Sequence, residues 1–243
     1  MHNRYMPNAV MILPVVVPIL FWSWYHYYKD RHLPEPVGHL VLTFILGIAA
    51  AAVSKSLYIA LGWVSLRHDA MQLADTSTLA LFAYSMLAIG PIEEFSKMLP
   101  FIIVVLRFPE FDEPLDGIIY ASFIALGYAA VENVLYLEYL TPIEAAARGF
   151  AGPVIHMLFA SIWGFTIGCA HLRGESLPGG ILRGFLLAAG LHGLYDFVVM
   201  QSAFNALPIA AGFIVVIWIW RLRLMQAMQQ RALRSKNFEQ KQD

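Results

Sequence analysis

Apolar residues fall in long blocks separated by short polar punctuation. The first block runs from about Ala9 to Tyr28 and holds Pro14 and Pro18. It ends in Trp22, Trp24, Tyr25, Tyr27 and Tyr28, an aromatic cluster of the kind that sits at a membrane–water interface. After a Pro-containing loop (Lys29 to Pro36) comes a second block, His39 to Leu66. A polar loop of about Arg67 to Ser77 leads into a third segment, Thr78 to Leu106. Gly90–Pro91 divides that segment into a kinked helix or two half-helices. Beyond the acidic loop Phe108 to Pro114, the fourth block covers Asp116 to Leu140, the fifth Gly149 to Leu172, the sixth Gly180 to Met200 and the seventh Phe204 to about Leu224. A polar, basic tail, read as an amphipathic or frayed helix, continues to Asp243. A helix needs roughly 20 apolar residues to cross a bilayer. The pattern therefore predicts an all-α fold, a polytopic transmembrane helical bundle of about seven spans, in a single domain over residues 1–243.

Composition agrees. The 243 residues are 59% hydrophobic and 14% charged, too little charge to clothe a soluble domain of this size. The partner this implies is the lipid bilayer. A formal net charge of −1 names no other, and nothing points to nucleic acid. The single cysteine, Cys169, rules out an internal disulfide framework. Bulky residues at the end of the first block offer no signal-peptide cleavage site. Basic residues set the orientation. With the tail (residues 221–243) cytoplasmic, eleven lie inside: Lys29, Arg31, Arg107, Arg173, Arg183, Arg221, Arg223, Arg231, Arg234, Lys236 and Lys241. Arg4, Arg67 and Arg148 lie outside, which predicts an outside N-terminus and an inside C-terminus.

Several spans carry ionisable groups at depth, where such groups are expensive and mark function. Gly90–Pro91–Ile92–Glu93–Glu94–Phe95–Ser96–Lys97 puts two carboxylates and a lysine between apolar runs. Lys97 is four residues from Glu93 and three from Glu94, so on a helix it can pair with either. The surplus negative charge calls for a proton, a metal or a second cation. Tyr128, Glu132 and Tyr136 share one face of the fourth span, with Asn133 beside them. Glu132 lies near mid-span with no cation in helical reach, so its partner comes from another helix. His156 lies on a face of small residues (Gly152, Ala160, Gly164, Gly168) that admits a neighbouring backbone. Gly184, Ala188, His192 and Asp196 repeat the design, with Asp196 placed to orient the imidazole. Lys55 reads as a snorkelling side chain, and the remaining histidines fall in termini, loops or span ends. Glu93, Glu94, Glu132, His156 and His192 supply the oxygen and nitrogen ligands that suit zinc, with a spare carboxylate to act as base. The same groups would also serve a metal-ion or proton-coupled transporter or channel. Buried Lys55 and Lys97 and the lack of an inverted repeat oppose that reading.

The ordered set Glu-Glu-x-x-Lys (93, 94, 97), Tyr-x-x-x-Glu-Asn (128, 132, 133), His156 and His-x-x-x-Asp (192, 196) resembles the PrsW family of intramembrane proteases, as does Asp116–Gly117. The likeness spans roughly 89–197. Tyr128 stands where phenylalanine is common in that family, and Asp196 where asparagine is. More distantly the pattern is similar to CAAX prenyl endopeptidases, which share a double-glutamate helix, although Glu132 stands where they carry histidine. The resemblance implies hydrolysis of a peptide bond in a membrane-anchored protein substrate, of the anti-sigma-factor kind, in a bacterial inner membrane. On it rests the following assignment: Glu132, His156 and His192 as ligands of Zn2+; Glu93 or Glu94 as general base or further ligand; Lys97 holding that pair; Asn133 in the site; and Asp196 orienting His192.

Overall fold

A computed structural model describes residues 9–29, 34–201 and 206–239. Arg4, Arg31, Lys241, His2 and His32 lie outside the described residues, as do the side chains of Lys29, Arg231, Arg234 and Lys236. Among the described residues there are helices and no strand. In chain order they are α1 (Ala9–Lys29), α2 (Val37–Trp63), α3 (Ala70–Thr76), α4 (Thr78–Tyr84), a π-helical turn (Ser85–Ile89), α5 (Gly90–Ile103), a 3-10 turn (Val105–Arg107), α6 (Pro114–Tyr136), α7 (Pro142–Leu172), α8 (Leu177–Met200) and α9 (Ala206–Glu239). Four of them, α2, α6, α7 and α8, are long and apolar enough to cross a membrane by length and composition.

Local chemistry sets the boundaries. The loop expected over Arg67 to Ser77 contains α3, because Asp69 accepts from the backbone N–H groups of Met71 and Gln72, and Ser77 then caps α4. Pro114 and Pro142 begin α6 and α7, where their missing N–H costs nothing. Thr141 and Glu144 form a capping box that starts α7 two turns before the expected Gly149. At its other end α6 stops at Tyr136, so Glu132 lies little more than one turn from the end of its helix and not at the middle. The tail is not a separate element, since α9 continues through it to Glu239.

At Gly90–Pro91 the third segment stays one continuous helical run, not two separate half-helices, and α5 begins at Gly90 with the Glu pair near its start as expected. The chain passes through it as a π turn followed at once by α5. Pro91 has no N–H to give, and the widened turn relieves the clash that a proline makes with the preceding turn of an α-helix. Glu93 and Glu94 thus fall in the first turns of a regular helix.

Helices meet at backbone distance. A Cβ at Gly90 would collide with the Ala189 carbonyl of α8, and one at Gly193 with the Ser85 carbonyl of the π turn. Gly117 and Gly164 abut across α6 and α7, while Gly47 and Gly127 each meet the other helix's carbonyls across α2 and α6. These are the close approaches that small residues permit in membrane helices. In α6 and α7, 72% of the most apolar window is buried, against 28% for α2, so α6 and α7 form the centre. Trp163, Phe101, Tyr120, Phe159 and Ile124 fill the core around them. The outward surface is rich in exposed large apolar side chains, among them Trp63, Leu79, Leu87 and Ile143, as suits contact with lipid.

Arg221, counted above with the inner basic residues, is instead fully buried. Its Nη2 donates to Ser122 Oγ at 2.8 Å and lies 2.6 Å from His26 Nε2, which ties α9 to α6 and α1.

Candidate active site

Four helices bring their polar residues to one place. α5 supplies Glu93, Glu94 and Lys97; α6 supplies Glu132 and Asn133; α7 supplies His156; α8 supplies His192 and Asp196. The glycine seams explain the convergence, since His156 and His192 lie on the same helix faces as the small residues at which backbones meet.

Glu94 is the hub. It is wholly buried, and both its oxygens are engaged. Oε1 accepts from Lys97 Nζ at 2.5 Å and lies 2.6 Å from His192 Nδ1, while Oε2 accepts from the indole N–H of Trp163 at 2.8 Å. Lys97 therefore chooses Glu94 over Glu93. A carboxylate at Nδ1 fixes the proton there and turns the Nε2 lone pair of His192 the other way. Phe159 stacks on the ring of His192, with centroids 4.9 Å apart.

Glu93 contrasts with its neighbour. Its Oε2 is buried with no hydrogen-bond partner, 3.7 Å from His192 Nε2. Asp196 Oδ2 lies 3.5 Å from that same nitrogen. The role expected of Asp196, orienting His192 from behind, falls geometrically to Glu94; Asp196 stands on the lone-pair side. Electron-rich atoms converging on Nε2 require a proton or a cation among them.

His156 links the two halves. Its Nε2 is 2.6 Å from Glu132 Oε2, and its Nδ1 is 3.1 Å from Lys97 Nζ. An ammonium can only donate, so Nδ1 accepts and Nε2–H donates to Glu132. The other Glu132 oxygen accepts from Arg148 Nη2 at 2.7 Å. With no cation in reach on its own helix, Glu132 finds its partners on another helix, α7. The rings of His156 and His192 are 5.3 Å apart, and Tyr128 packs on His156 while its hydroxyl donates to Ser54. Asn133 is buried against Gly152, with its Nδ2 unpartnered.

One ligand atom from each of Glu93, His156 and His192 lies within 4.8 Å of the others. The donor set fits a divalent cation: a carboxylate oxygen lacking any partner, an imidazole whose far nitrogen is held by a carboxylate, and a second imidazole alongside. Glu132 adjoins this group through His156 rather than belonging to it. Two neighbours, Trp163 and Arg148, were not read from the sequence as site residues. Tryptophan in an apolar run looks like filling. Arg148 was placed in a loop, although Thr141–Pro142–Ile143–Glu144 carries the capping-box signature that would have extended the helix through it.

A family model described as PrsW family intramembrane metalloprotease matches residues 35–222. The chain belongs to the PrsW family. Among curated relatives, Protease PrsW of Oceanobacillus iheyensis is 34% identical over 215 residues, covering 87% of this chain and 93% of its own length. Protease PrsW of Bacillus subtilis is 30% identical over 200 residues (82% and 86%), and that of Clostridioides difficile 28% over 214 residues (86% and 87%). No solved structure matches. With four membrane-capable helices, this PrsW-family chain is an integral membrane protein, and its relatives make it a protease. The transporter reading has no such support.

Proposed function

We propose that this protein is a metal-dependent endopeptidase that cuts a membrane-anchored protein in or near the bilayer, in the manner of regulated intramembrane proteolysis, as one domain of about seven spans with the N-terminus outside and the C-terminus inside. The observation that carries the site assignment is the buried, unpartnered Glu93 Oε2 facing the free Nε2 of His192, with His156 alongside. Glu93, His156 and His192 hold the cation, zinc being the ion these donors suit. When bound, such an ion polarises a peptide carbonyl and makes water a better nucleophile at neutral pH.

Every other task belongs to the chain. Glu94, pinned by Trp163 and neutralised by Lys97, keeps the His192 lone pair aimed into the site. Glu132 is the general base. It is partly exposed, and its two oxygens accept from Arg148 and from His156, so it stands directly beside the group that would hold the ion. Water adds to the carbonyl carbon as its proton passes to Glu132, which then returns it to the leaving amine. This differs from the sequence-based assignment in exchanging the roles of Glu132 and Glu93.

The test pairs zinc content with cleavage of a quenched-fluorescent single-span peptide in liposomes. Wild type should hold near-stoichiometric zinc and cleave. His192→Ala and Glu93→Ala should lose both. Glu132→Gln should keep zinc and lose cleavage. Full cleavage by His192→Ala would sink the site, and loss of zinc in Glu132→Gln would return Glu132 to the ligands.

A further inference from the structure

Arg148 borders the site without a part in the chemistry above. Along α7, Arg148, Gly152 and His156 follow one another at intervals of four and share a face. The guanidinium donates through Nη2 to Glu132 and lies 3.6 Å from the centroid of the Tyr136 ring, so its plane is held from two sides. Its Nε is buried and has no hydrogen-bond partner. Of the two cations beside Glu132 and His156, Lys97 is wholly enclosed and committed to Glu94 and His156, whereas the Arg148 side chain is 32% exposed. Arg148 is the cation whose side chain is not fully enclosed, although its Nε itself is buried.

A second donor packs on α7 one turn from it. Asn133 follows Glu132 in α6, and its Oδ1 packs against Gly152, where an added Cβ would stand only 3.1 Å away. Its Nδ2 is buried and unpartnered. Buried donors normally find acceptors, so two orphans flanking one catalytic carboxylate mark where an acceptor arrives with the substrate. A substrate backbone offers such an acceptor in the scissile carbonyl oxygen.

We propose that Arg148, through its unpaired Nε edge and with Asn133 Nδ2 beside it, binds the scissile carbonyl and stabilises the negative charge that its oxygen gains. As water adds to the carbonyl carbon, one proton passes to Glu132 and the C=O π pair moves onto that oxygen. As the C–N bond breaks, the pair re-forms the carbonyl and Glu132 returns the proton to the amine. Donors placed for the charged oxygen contribute mainly to kcat. The assignment rests on the peptidase reading, and its test can fail separately.

The experiment compares wild type, Arg148→Ala, Arg148→Gln and His192→Ala on the same single-span reporter peptide, with zinc measured in each. Both arginine variants should lose about 100- to 1,000-fold in kcat with KM little changed and zinc retained. Methylguanidinium added to Arg148→Ala should restore part of the rate, which a purely structural arginine would not allow. Should the alanine variant fold poorly, the glutamine variant carries the same readout. A near-wild-type kcat, or loss of zinc together with activity and no rescue, overturns the proposal. An inactive His192→Ala beside an active Arg148→Ala removes only this inference, whereas an active His192→Ala brings down the peptidase site itself.

Discussion

At the scale of single residues, the site depends on groups whose chemistry is set from behind. Trp163 shows this most simply, because its indole N–H is the partner of Glu94 Oε2 among the described residues. Trp163→Phe keeps most of the ring volume and strands that oxygen. The expected loss is about 1–3 kcal/mol of stability, read by thermal unfolding in detergent. Zinc affinity should fall about 10- to 100-fold through the loosened His192, read by competition with a chelating dye. His156 yields a second prediction. With Nδ1 accepting from the Lys97 ammonium and Nε2–H given to Glu132, neither nitrogen is free to ligate until a proton leaves the His156–Lys97 pair. Zinc uptake should therefore release protons and strengthen as pH rises, which calorimetry in buffers of different ionisation heat would read. A pH-independent affinity would contradict this. Much of the site was legible beforehand for one reason: Glu93, Glu94, Glu132, His156 and His192 interrupt apolar runs, where an ionisable group cannot be incidental. Which carboxylate took which partner was not legible. Lys97 is in helical reach of both glutamates, and the choice is made by Trp163 and His192, far away in sequence.

At the scale of elements, glycine placement decides how closely the acid pair approaches the histidines. Gly90 lies three residues before Glu93, and a methyl group there would meet the Ala189 carbonyl and the Gly193 amide nitrogen. Gly90→Ala should push α5 from α8, costing about 1–3 kcal/mol or more and most of the activity. Gly190, on the same helix as Gly193, has nothing within 4 Å of a built Cβ. Gly190→Ala should be neutral or stabilising by up to about 1 kcal/mol. Thermal unfolding of the two variants side by side checks the contrast, and equal destabilisation would refute the seam. The four-residue glycine–alanine steps of α7 and α8 revealed these faces in the sequence. The π turn was hidden, because Gly–Pro signals a break equally well whether the helix stops or only widens.

At the scale of the whole molecule, the chain should place the open side of the site, near the ends of α6 and α8 and the start of α7, toward the exterior. Moving Arg221 into the core and Arg148 into the site leaves ten basic residues against two, so the charge bias that sets this orientation survives both corrections. Tyr139→Cys should react with an impermeant maleimide on intact cells, and Glu175→Cys only after permeabilisation. Cys169 is buried and supplies little background. The reverse pattern would invert the molecule. The all-helical class was readable because apolar length is a robust signal, whereas burial of Arg221 was not, since its partners His26 and Ser122 come from distant helices. The π turn at Ser85–Ile89 finally sets a rule of phase for the entire assembly. Each residue advances a helix by about 100°, so deleting one residue there would twist α4 against α5 by that angle. The lipid-facing side of α4 and the acid pair of α5 could then no longer both face where they must. Substitution at the exposed Leu87 should pass unnoticed while its deletion silences the enzyme, which makes the length of this turn more constrained than its composition.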